Sequence, residues 1–290
     1  MSTDRPETVA QTLRSGMDRL TPSERQLASA LLANYPIAGL ASIKRFADAA
    51  SVSTPTVVRM ARKLGFPGFP EFQAALRHEL EATLSGPIAK HDRWAWDAPE
   101  THILNRFADA VMANMQRTIN QIDPAAFDHT CRRLANTDKR VFLAGGRITY
   151  ALASYLFTHL QVIRERVFLL AGSASLWPHD LINMKRGDLM IVYDIRRYDG
   201  DLAKLSGLAD ERGVEIVLFT DQWMSPIAAT AGHTFSAPVE VPSGWDSAAG
   251  LLFLTETMIA AVEKLRWKDA SKRMRALEQV FDSTQQFRKR

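Results

Sequence analysis

The sequence predicts a two-part protein, with an all-α N-terminal domain followed by a doubly wound α/β domain built on a parallel sheet. Helical periodicity and helix caps fill the N-terminal third, whereas short apolar runs of strand type alternate with helical stretches later in the chain. The 290 residues are 46% hydrophobic and 23% charged, which supports real cores and excludes the disordered, collagenous and disulfide-rich classes.

The N-terminal helices are predicted from their caps. Thr21-Pro22-Ser23-Glu24 has the form of a capping box with proline at the first helical position. Ser42 is placed to cap a short helix, and Ser53-Thr54-Pro55 opens another that stops at Gly65. A further helical pattern covers 69–84.

The two short helices between residues 43 and 64 match a helix-turn-helix. Val57, Met60 and Leu64 recur on one face of the second helix, which leaves the other face free. The turn position that is most often glycine is Ser51, and the bland alternative is a helical hairpin with a solvated basic face. The residues expected to contact DNA are Lys44, Arg45, Ser53, Thr54, Thr56, Arg59, Arg62 and Lys63.

The C-terminal half is predicted to consist of alternating helices and buried parallel strands. Asp123-Pro124 opens a helix, and a long helix is expected from about 246 to 265. A final basic segment places Met274, Leu277 and Phe281 on one face. The predicted strands are 140–144, 166–170, 188–193, 214–220 and 233–236.

These patterns divide the chain into four parts. Residues 1–90 carry 11 Lys/Arg against 8 Asp/Glu, residues 91–265 carry 17 against 21, and residues 266–290 carry 8 against 3, so basic ends flank a mildly acidic body. Trp94 and Trp96 offer a stacking platform or dock onto the chain's own domain. The predicted parts are a helix-turn-helix domain at 1–84, a linker and connecting helix at 85–122, an α/β domain at 123–267 and a basic helix at 268–290.

Several function classes lack support. No apolar stretch reaches the length of a membrane span, and the N-terminus has no secretory pattern, so a cytoplasmic protein is expected. The single cysteine, Cys131, has no partner for a disulfide. The seven histidines show no metal-ligand spacing, and no nucleophile elbow or P-loop occurs. No metal, cofactor or catalytic residue is therefore predicted.

The chain resembles the RpiR family of bacterial transcriptional regulators, whose C-terminal part is a sugar isomerase (SIS) domain. The resemblance lies in LTPSERQLASALLAN and IKRFADAASVSTPTVVRMARKLGFPGFPEFQAAL, followed by an α/β domain, and it covers nearly the whole chain. The segment LGFPGFPEFQ is more specific to this family than the helix-turn-helix is.

The resemblance implies two effector-binding loops, and both depart from the family pattern. Gly145-Gly146-Arg147-Ile148-Thr149 replaces the usual Gly-x-Gly-x-Ser loop, and Asp194 to Asp199 replaces a serine-rich phosphate loop. Arg196 and Arg197 either hold a phosphate or carboxylate, or pair with neighbouring aspartates and close the site. The expected effector residues are Gly145, Gly146, Arg147, Thr149, Asp194, Arg196, Arg197, Thr220 and Ser247, of which the last two are equally suited to capping.

The resemblance implies a non-enzymatic regulator that binds double-stranded operator DNA and senses a small anionic, carbohydrate-related effector such as a sugar phosphate or sugar acid. A homodimer or homotetramer is expected to present paired helix-turn-helix units to a repeated site. Two alternatives stay open: a constitutive DNA binder whose SIS domain only assembles the protein, and a sugar-phosphate isomerase.

Overall fold

A computed structural model describes residues 8–84, 88, 90 and 102–285. It contains an all-helical N-terminal domain and a five-stranded parallel sheet covered by helices on both faces, which confirms the predicted fold class. The linker tryptophans Trp94 and Trp96 lie outside the described residues. No helix in these ranges combines the length and the hydropathy needed to cross a membrane.

The N-terminal helices begin where the capping residues predict. Thr21 and Glu24 form the reciprocal capping box, and the Ser42 side chain accepts a hydrogen bond from the Arg45 N–H. A 3₁₀ turn at Met17–Arg19 separates the first two helices. The helices are α1 (Val9–Gly16), α2 (Pro22–Ala33), α3 (Ile37–Leu40), α4 (Ile43–Ala49), α5 (Thr54–Lys63) and α6 (Phe69–Leu84).

Helices α4 and α5 form the helix-turn-helix, and Ser51 occupies the strained position of the turn. Its φ is +52°, the left-handed region that glycine adopts most readily. The Val52 N–H donates to the Ala47 carbonyl, and the Ser51 N–H donates to the Asp48 carbonyl. This is the Schellman arrangement that ends a helix, so the turn has the geometry of a glycine turn without glycine.

The segment after α5 supports the helix-turn-helix with an aromatic cluster. Phe66 and Phe69 contact Phe72 at ring-centroid distances of 5.5 and 6.1 Å, and Phe69 lies 6.3 Å from Phe46 of α4. Phe46 and Phe72 are fully buried together with the apolar face of α5. The phenylalanines of LGFPGFPEFQ thus hold α4 and α6 around the second helix of the motif.

The α/β domain has the strand order β2-β1-β3-β4-β5, with every neighbouring pair parallel. The chain starts in the middle of the sheet and moves first to one edge and then to the other, so β1 and β3 flank a topological switch point. The strands are β1 (Val141–Gly145), β2 (Val167–Leu169), β3 (Leu189–Asp194), β4 (Glu215–Asp221) and β5 (His233–Ala237). The helices are α7 (Ile103–Gln121), α8 (Pro124–Ala135), α9 (Tyr150–Ile163), α10 (Trp177–Leu181), α11 (Gly200–Glu211) and α12 (Ala249–Thr284), with 3₁₀ turns at Ala174–Leu176 and Pro226–Ala229.

Each face of the sheet has its own core. Helices α8, α9 and α12 cover one face, where Val217, Phe219 and Phe235 are buried. Helices α10 and α11 cover the other, over Met190 and Leu218. The long helix that the sequence predicted to end near residue 265 instead runs without interruption to Thr284, because no proline or glycine breaks it.

We expect Ser51→Gly to stabilise the protein, because glycine adopts the left-handed φ without strain. Part of this gain is offset, because glycine also increases the conformational entropy of the unfolded chain. The free energy of unfolding should rise by about 0.5 to 1 kcal/mol in denaturant titration. Ser53→Gly is the matched control, because Ser53 has an ordinary φ of −83°. An equal gain in both variants would contradict the strain assigned to Ser51.

Candidate DNA-binding and effector sites

The cationic side chains predicted to face DNA are largely exposed. Lys44 and Arg45 lie on the solvent side of α4, and Arg59 and Arg62 lie on that of α5. Ser53 is exposed at the leading end of α5, and Thr54 beside it is half-buried. The free face of the second helix therefore carries two guanidinium groups and one hydroxyl at its N-terminal end.

Two residues of the predicted set already have side-chain partners within the domain, although Lys63 stays exposed. Thr56 was expected on the free face but is only 4% exposed, and its hydroxyl accepts a hydrogen bond of 3.0 Å from Arg59 Nη2. Lys63 Nζ lies 2.7 Å from Oε2 of buried Glu24, the capping-box residue of α2. Thr56 is placed to orient Arg59, and Lys63 ties α5 to α2.

A cleft of about 640 Å³ opens at the carboxyl ends of β1 and β3, the topological switch point where doubly wound sheets bind ligands. The first predicted effector loop forms one side and the second forms the other. Residues from four separate segments line it: Lys90, Gly146, Arg147, Ile148, Thr149, Asp194, Ile195, Arg196, Arg197, Asp199, Gly244, Trp245 and Asp246.

The first loop is built around a close backbone approach. A Cβ atom at Gly145 would lie 2.7 Å from backbone atoms of Thr149 and Tyr150, so only glycine fits there. The Gly146 N–H and the Thr149 hydroxyl both donate to the Tyr193 carbonyl, at 3.2 and 2.6 Å. The hydroxyl predicted to bind the effector is thus used to join this loop to β3, while the N-terminus of α9 faces the cleft.

Two buried carboxyl groups lie at the ends of β3 and β4. Asp194 accepts hydrogen bonds from the Ser225 hydroxyl at 2.5 Å and from the Asp199 N–H at 3.2 Å. Asp221 accepts from the Arg196 N–H, the Tyr198 hydroxyl and the Trp223 N–H. Burial raises the pKa of each carboxyl to about 6, although the hydrogen bonds favour the ionised form.

Arg196 points away from open solvent and joins the two domains. Its side chain is 4% exposed, its Nε lies 3.1 Å from Asp246 Oδ2, and its Nη2 lies 3.6 Å from Glu240 Oε1. Its Nη1 donates to the Ala82 carbonyl at 2.7 Å, near the end of α6, and its guanidinium lies 4.0 Å from the Trp223 ring centroid. The sequence predicted pairing with Asp194, Asp199 or Asp201 as one alternative, and the structure gives Arg196 different acidic partners.

The remaining guanidinium groups of the cleft are accessible. Arg147 and Arg197 are exposed, and Arg197 adopts a left-handed φ of +63°. Lys90 is 2% exposed and its Nζ lies 2.5 Å from Asp246 Oδ1, so its charge is already paired. Burial lowers the pKa of the Lys90 ammonium group, and the contact with Asp246 opposes that change.

Three predicted effector residues lie outside the cleft lining: Gly145, which allows the close backbone approach of the first loop, and Thr220 and Ser247, which have turn or capping contacts. The fully buried Thr220 hydroxyl accepts a hydrogen bond of 3.1 Å from the Ser225 N–H. The Ser247 hydroxyl accepts one of 3.3 Å from the Ala249 N–H at the start of α12. The Ser247 contact corresponds to the capping alternative left open by the sequence, whereas the Thr220 contact spans the turn after β4.

No sequence pattern indicates Asp246, Lys90 or Trp223. Asp246 lies in the irregular segment between β5 and α12, and Lys90 lies beyond α6, so no periodic pattern marks either one. Asp221 was accessible to sequence reasoning, because it follows Thr220 at the carboxyl end of a predicted parallel strand. That edge of the sheet is where polar residues meet.

The chain joins a helix-turn-helix domain to a doubly wound domain with a cleft at its switch point. This is the architecture of a DNA-binding regulator whose second domain has the fold of a ligand-binding domain. Comparison with known proteins supports this class of protein. The helix-turn-helix domain model of the rpiR family matches residues 7–83, and the SIS domain model matches residues 134–263. The chain belongs to the RpiR family of transcriptional regulators with a C-terminal SIS domain, which confirms the resemblance.

Individual relatives cover most of the chain. The transcriptional regulator HexR of Pseudomonas aeruginosa is 26% identical over 238 residues, 80% of this chain and 79% of HexR. The regulator RpiR of Escherichia coli is 22% identical over 286 residues, 94% of this chain and 92% of RpiR. The Vibrio vulnificus NanR protein, solved in complex with ManNAc-6P, has the same fold, with a TM-score of 0.56, 19% identity and coverage of 95% of this chain and 98% of NanR.

We expect Arg196→Ala to destabilise the protein by about 3 kcal/mol, since it removes the buried cation that lies against Asp246 and Glu240 and its hydrogen bond to the Ala82 carbonyl, while Asp246 keeps its contact with Lys90. Arg197→Ala is the matched control: it removes an adjacent, exposed arginine and should change the free energy of unfolding by about 0.5 kcal/mol or less. Urea titration of both variants measures the difference. Equal stability of the two would contradict the buried ion-pair role of Arg196.

Proposed function

We propose that this regulator binds an operator through the exposed face of α4 and α5 and senses a small anionic sugar derivative in the cleft between β1 and β3. A sugar phosphate is the favoured class. The protein is proposed to act as a homodimer or homotetramer, so that two helix-turn-helix units reach a repeated site. The observation that carries the effector proposal is the pair of exposed guanidinium groups, Arg147 and Arg197, on a cleft at the switch point.

The charges of the cleft support an anion. Asp246 pairs with Lys90 and lies against Arg196, which leaves Arg147 and Arg197 as accessible cations on the cleft. The N-terminus of α9 adds a partial positive charge on the same side. A phosphate held there would receive side-chain bonds in place of the family's serine loop. The complex of the similar NanR protein with ManNAc-6P supports the same ligand class.

The cleft offers little for isomerase chemistry, which needs a group placed to move a proton. Its described lining contains neither glutamate nor histidine. Asp194 has a pKa near 6, but its two oxygens accept hydrogen bonds from the Ser225 hydroxyl and the Asp199 N–H. We therefore favour a sensor over an enzyme, in line with the regulator names of the relatives.

For DNA binding, we expect Arg59→Ala to weaken affinity for the specific operator by about 1 to 3 kcal/mol, because the exposed guanidinium is placed to read a guanine edge. Lys44→Ala should weaken binding to all sequences alike and flatten the salt dependence by about one unit, as loss of a phosphate contact does. Fluorescence anisotropy with operator and scrambled duplexes at several salt concentrations measures both.

The control for these variants is Lys204→Ala, which removes an exposed lysine of α11 in the SIS domain. It should leave both affinities unchanged. Operator affinity that stays at the wild-type value in Arg59→Ala and in Lys44→Ala would place the DNA-binding face elsewhere.

For effector binding, we expect a sugar phosphate to raise the Tm of the wild-type protein, by an amount equivalent to about 2.7 kcal/mol at one hundred times Kd. Arg147→Ala and Arg197→Ala should reduce or abolish this shift, because each removes an accessible cation of the cleft. Differential scanning fluorimetry against sugar phosphates, sugar acids and inorganic phosphate measures it.

Arg212→Ala serves as the control, since Arg212 is an exposed arginine at the end of α11, just before β4. A shift of wild-type size in both cleft variants would refute the arginine assignment. A wild-type protein that responds to none of these anions while it still binds its operator would favour the assembly-module alternative.

A further inference from the structure

Three side chains with metal-binding atoms meet at the amino edge of the sheet, opposite the effector cleft. His129 comes from α8, Glu215 is the first residue of β4 and His233 is the first residue of β5. One ligand atom from each lies within 4.8 Å of the others. They are far apart in sequence, so histidine spacing along the chain gives no sign of the group.

Strand register explains why these side chains converge. His233 pairs with Val217, two residues beyond Glu215, and alternate residues of a strand point to the same face. Val217 is buried in the core that α8 helps to cover. Glu215 and His233 therefore both project toward α8 at its His129 turn, and the backbone of the sheet fixes their separation.

The distances suit a transition metal. His129 Nε2 lies 3.1 Å from Glu215 Oε1, and the two histidine rings are 4.8 Å apart between centroids. Tetrahedral ligands at about 2.0 to 2.1 Å from a metal are separated by about 3.4 Å, so His129 and Glu215 are already close to this spacing, and the His233 ligand atom lies within 4.8 Å of both. The His129 side chain is 45% exposed and that of Glu215 24%, which leaves a path for the ion and room for water as a fourth ligand.

Arg133 prepares the carboxylate for this role. Its Nε donates to Glu215 Oε2 at 2.6 Å, and its Nη2 donates to the Gly187 carbonyl at 2.8 Å. One carboxylate oxygen is thereby held, and the other is directed at His129. Hydrogen bonds of this kind orient the ligands of established metal sites, although the positive charge also moderates affinity.

We propose that His129, Glu215 and His233 form a site for a divalent transition metal of the Zn²⁺ class. Two imidazoles and one carboxylate are a donor set that Zn²⁺ accepts readily and that Mg²⁺ does not favour. The bound ion links α8 to β4 and to the edge strand β5. It stabilises the SIS domain at the edge that the effector cleft does not use, so the site is independent of the proposed effector.

The test uses the full chain stripped with EDTA and then titrated with ZnCl₂, NiCl₂ or MgCl₂ in a calorimeter. Zn²⁺ should bind at one ion per chain and raise Tm by about 5 to 10 °C at one hundred times its Kd, with no comparable effect of Mg²⁺. Co²⁺ should give the visible absorption of a tetrahedral or five-coordinate ion. The double variant His129→Ala/His233→Ala should bind Zn²⁺ at least tenfold more weakly and lose the Co²⁺ spectrum.

The matched control is His159→Ala/His179→Ala, which removes two exposed histidines of α9 and α10 and should bind as the wild type does. Circular dichroism in EDTA checks that each variant folds; if the double variant does not, His233→Gln alone provides the same comparison. Equal Zn²⁺ affinity in the site and control variants would overturn the assignment. Failure of the wild type to bind Zn²⁺ would overturn it as well.

Discussion

The buried guanidinium of Arg196 is the constraint on which the arrangement of the two domains depends. A guanidinium whose side chain is 4% exposed needs partners: its Nη1 donates to the Ala82 carbonyl, and the group lies against the Trp223 ring and in ion-pair contact with Asp246 and Glu240, although Nε and Nη2 have no hydrogen-bond partner among the described residues. Ala82 belongs to the last helix of the DNA-binding domain, whereas the other partners belong to the SIS domain. The Arg196 contact therefore acts together with the Thr8 hydroxyl bond to the Gln222 carbonyl and the packing of Ala82 on Trp223 and Val239 to hold the end of α6 at the carboxyl edge of the sheet.

The loop from Asp194 to Asp199 therefore has two structural roles, in the cleft and at the contact between the domains. Its backbone and Arg197 line the cleft, while Arg196 holds the DNA-binding domain. A ligand shifts the balance between two domain arrangements only by as much as it binds them differently. If the cleft binds the proposed effector, a ligand that displaces this loop would also move Arg196, and the loop would then link occupancy of the cleft to domain docking. The family's serine-rich loop would leave no comparable side chain for that contact.

Sequence reasoning succeeded where local rules decide the outcome. Caps and apolar periodicity placed α2, α4 and α5, and continuous apolar runs placed all five strands within one residue at most ends. It failed where long-range packing decides. Thr56 has the helical phase of a surface residue but is buried beneath Arg59, and Arg196 pairs with residues about 45 to 50 positions away rather than with its neighbours. Neither the burial of Thr56 nor the choice of acidic partners for Arg196 produces a periodic pattern in the sequence.

The sheet explains why polar groups of opposite use collect at its two edges. Parallel strands bring all their carboxyl ends to one edge of the sheet and all their amino ends to the other. Polar and charged groups therefore collect at these two edges, while the middle of the sheet is apolar. At the carboxyl edge, helix N-termini and backbone N–H groups favour negative charge, and accessible arginines add to this preference at the switch point. At the amino edge, the described groups around the Glu215 carboxylate are Arg133 and two imidazoles. The same parallel topology would therefore keep the proposed anion site and the proposed metal site apart by the length of the strands.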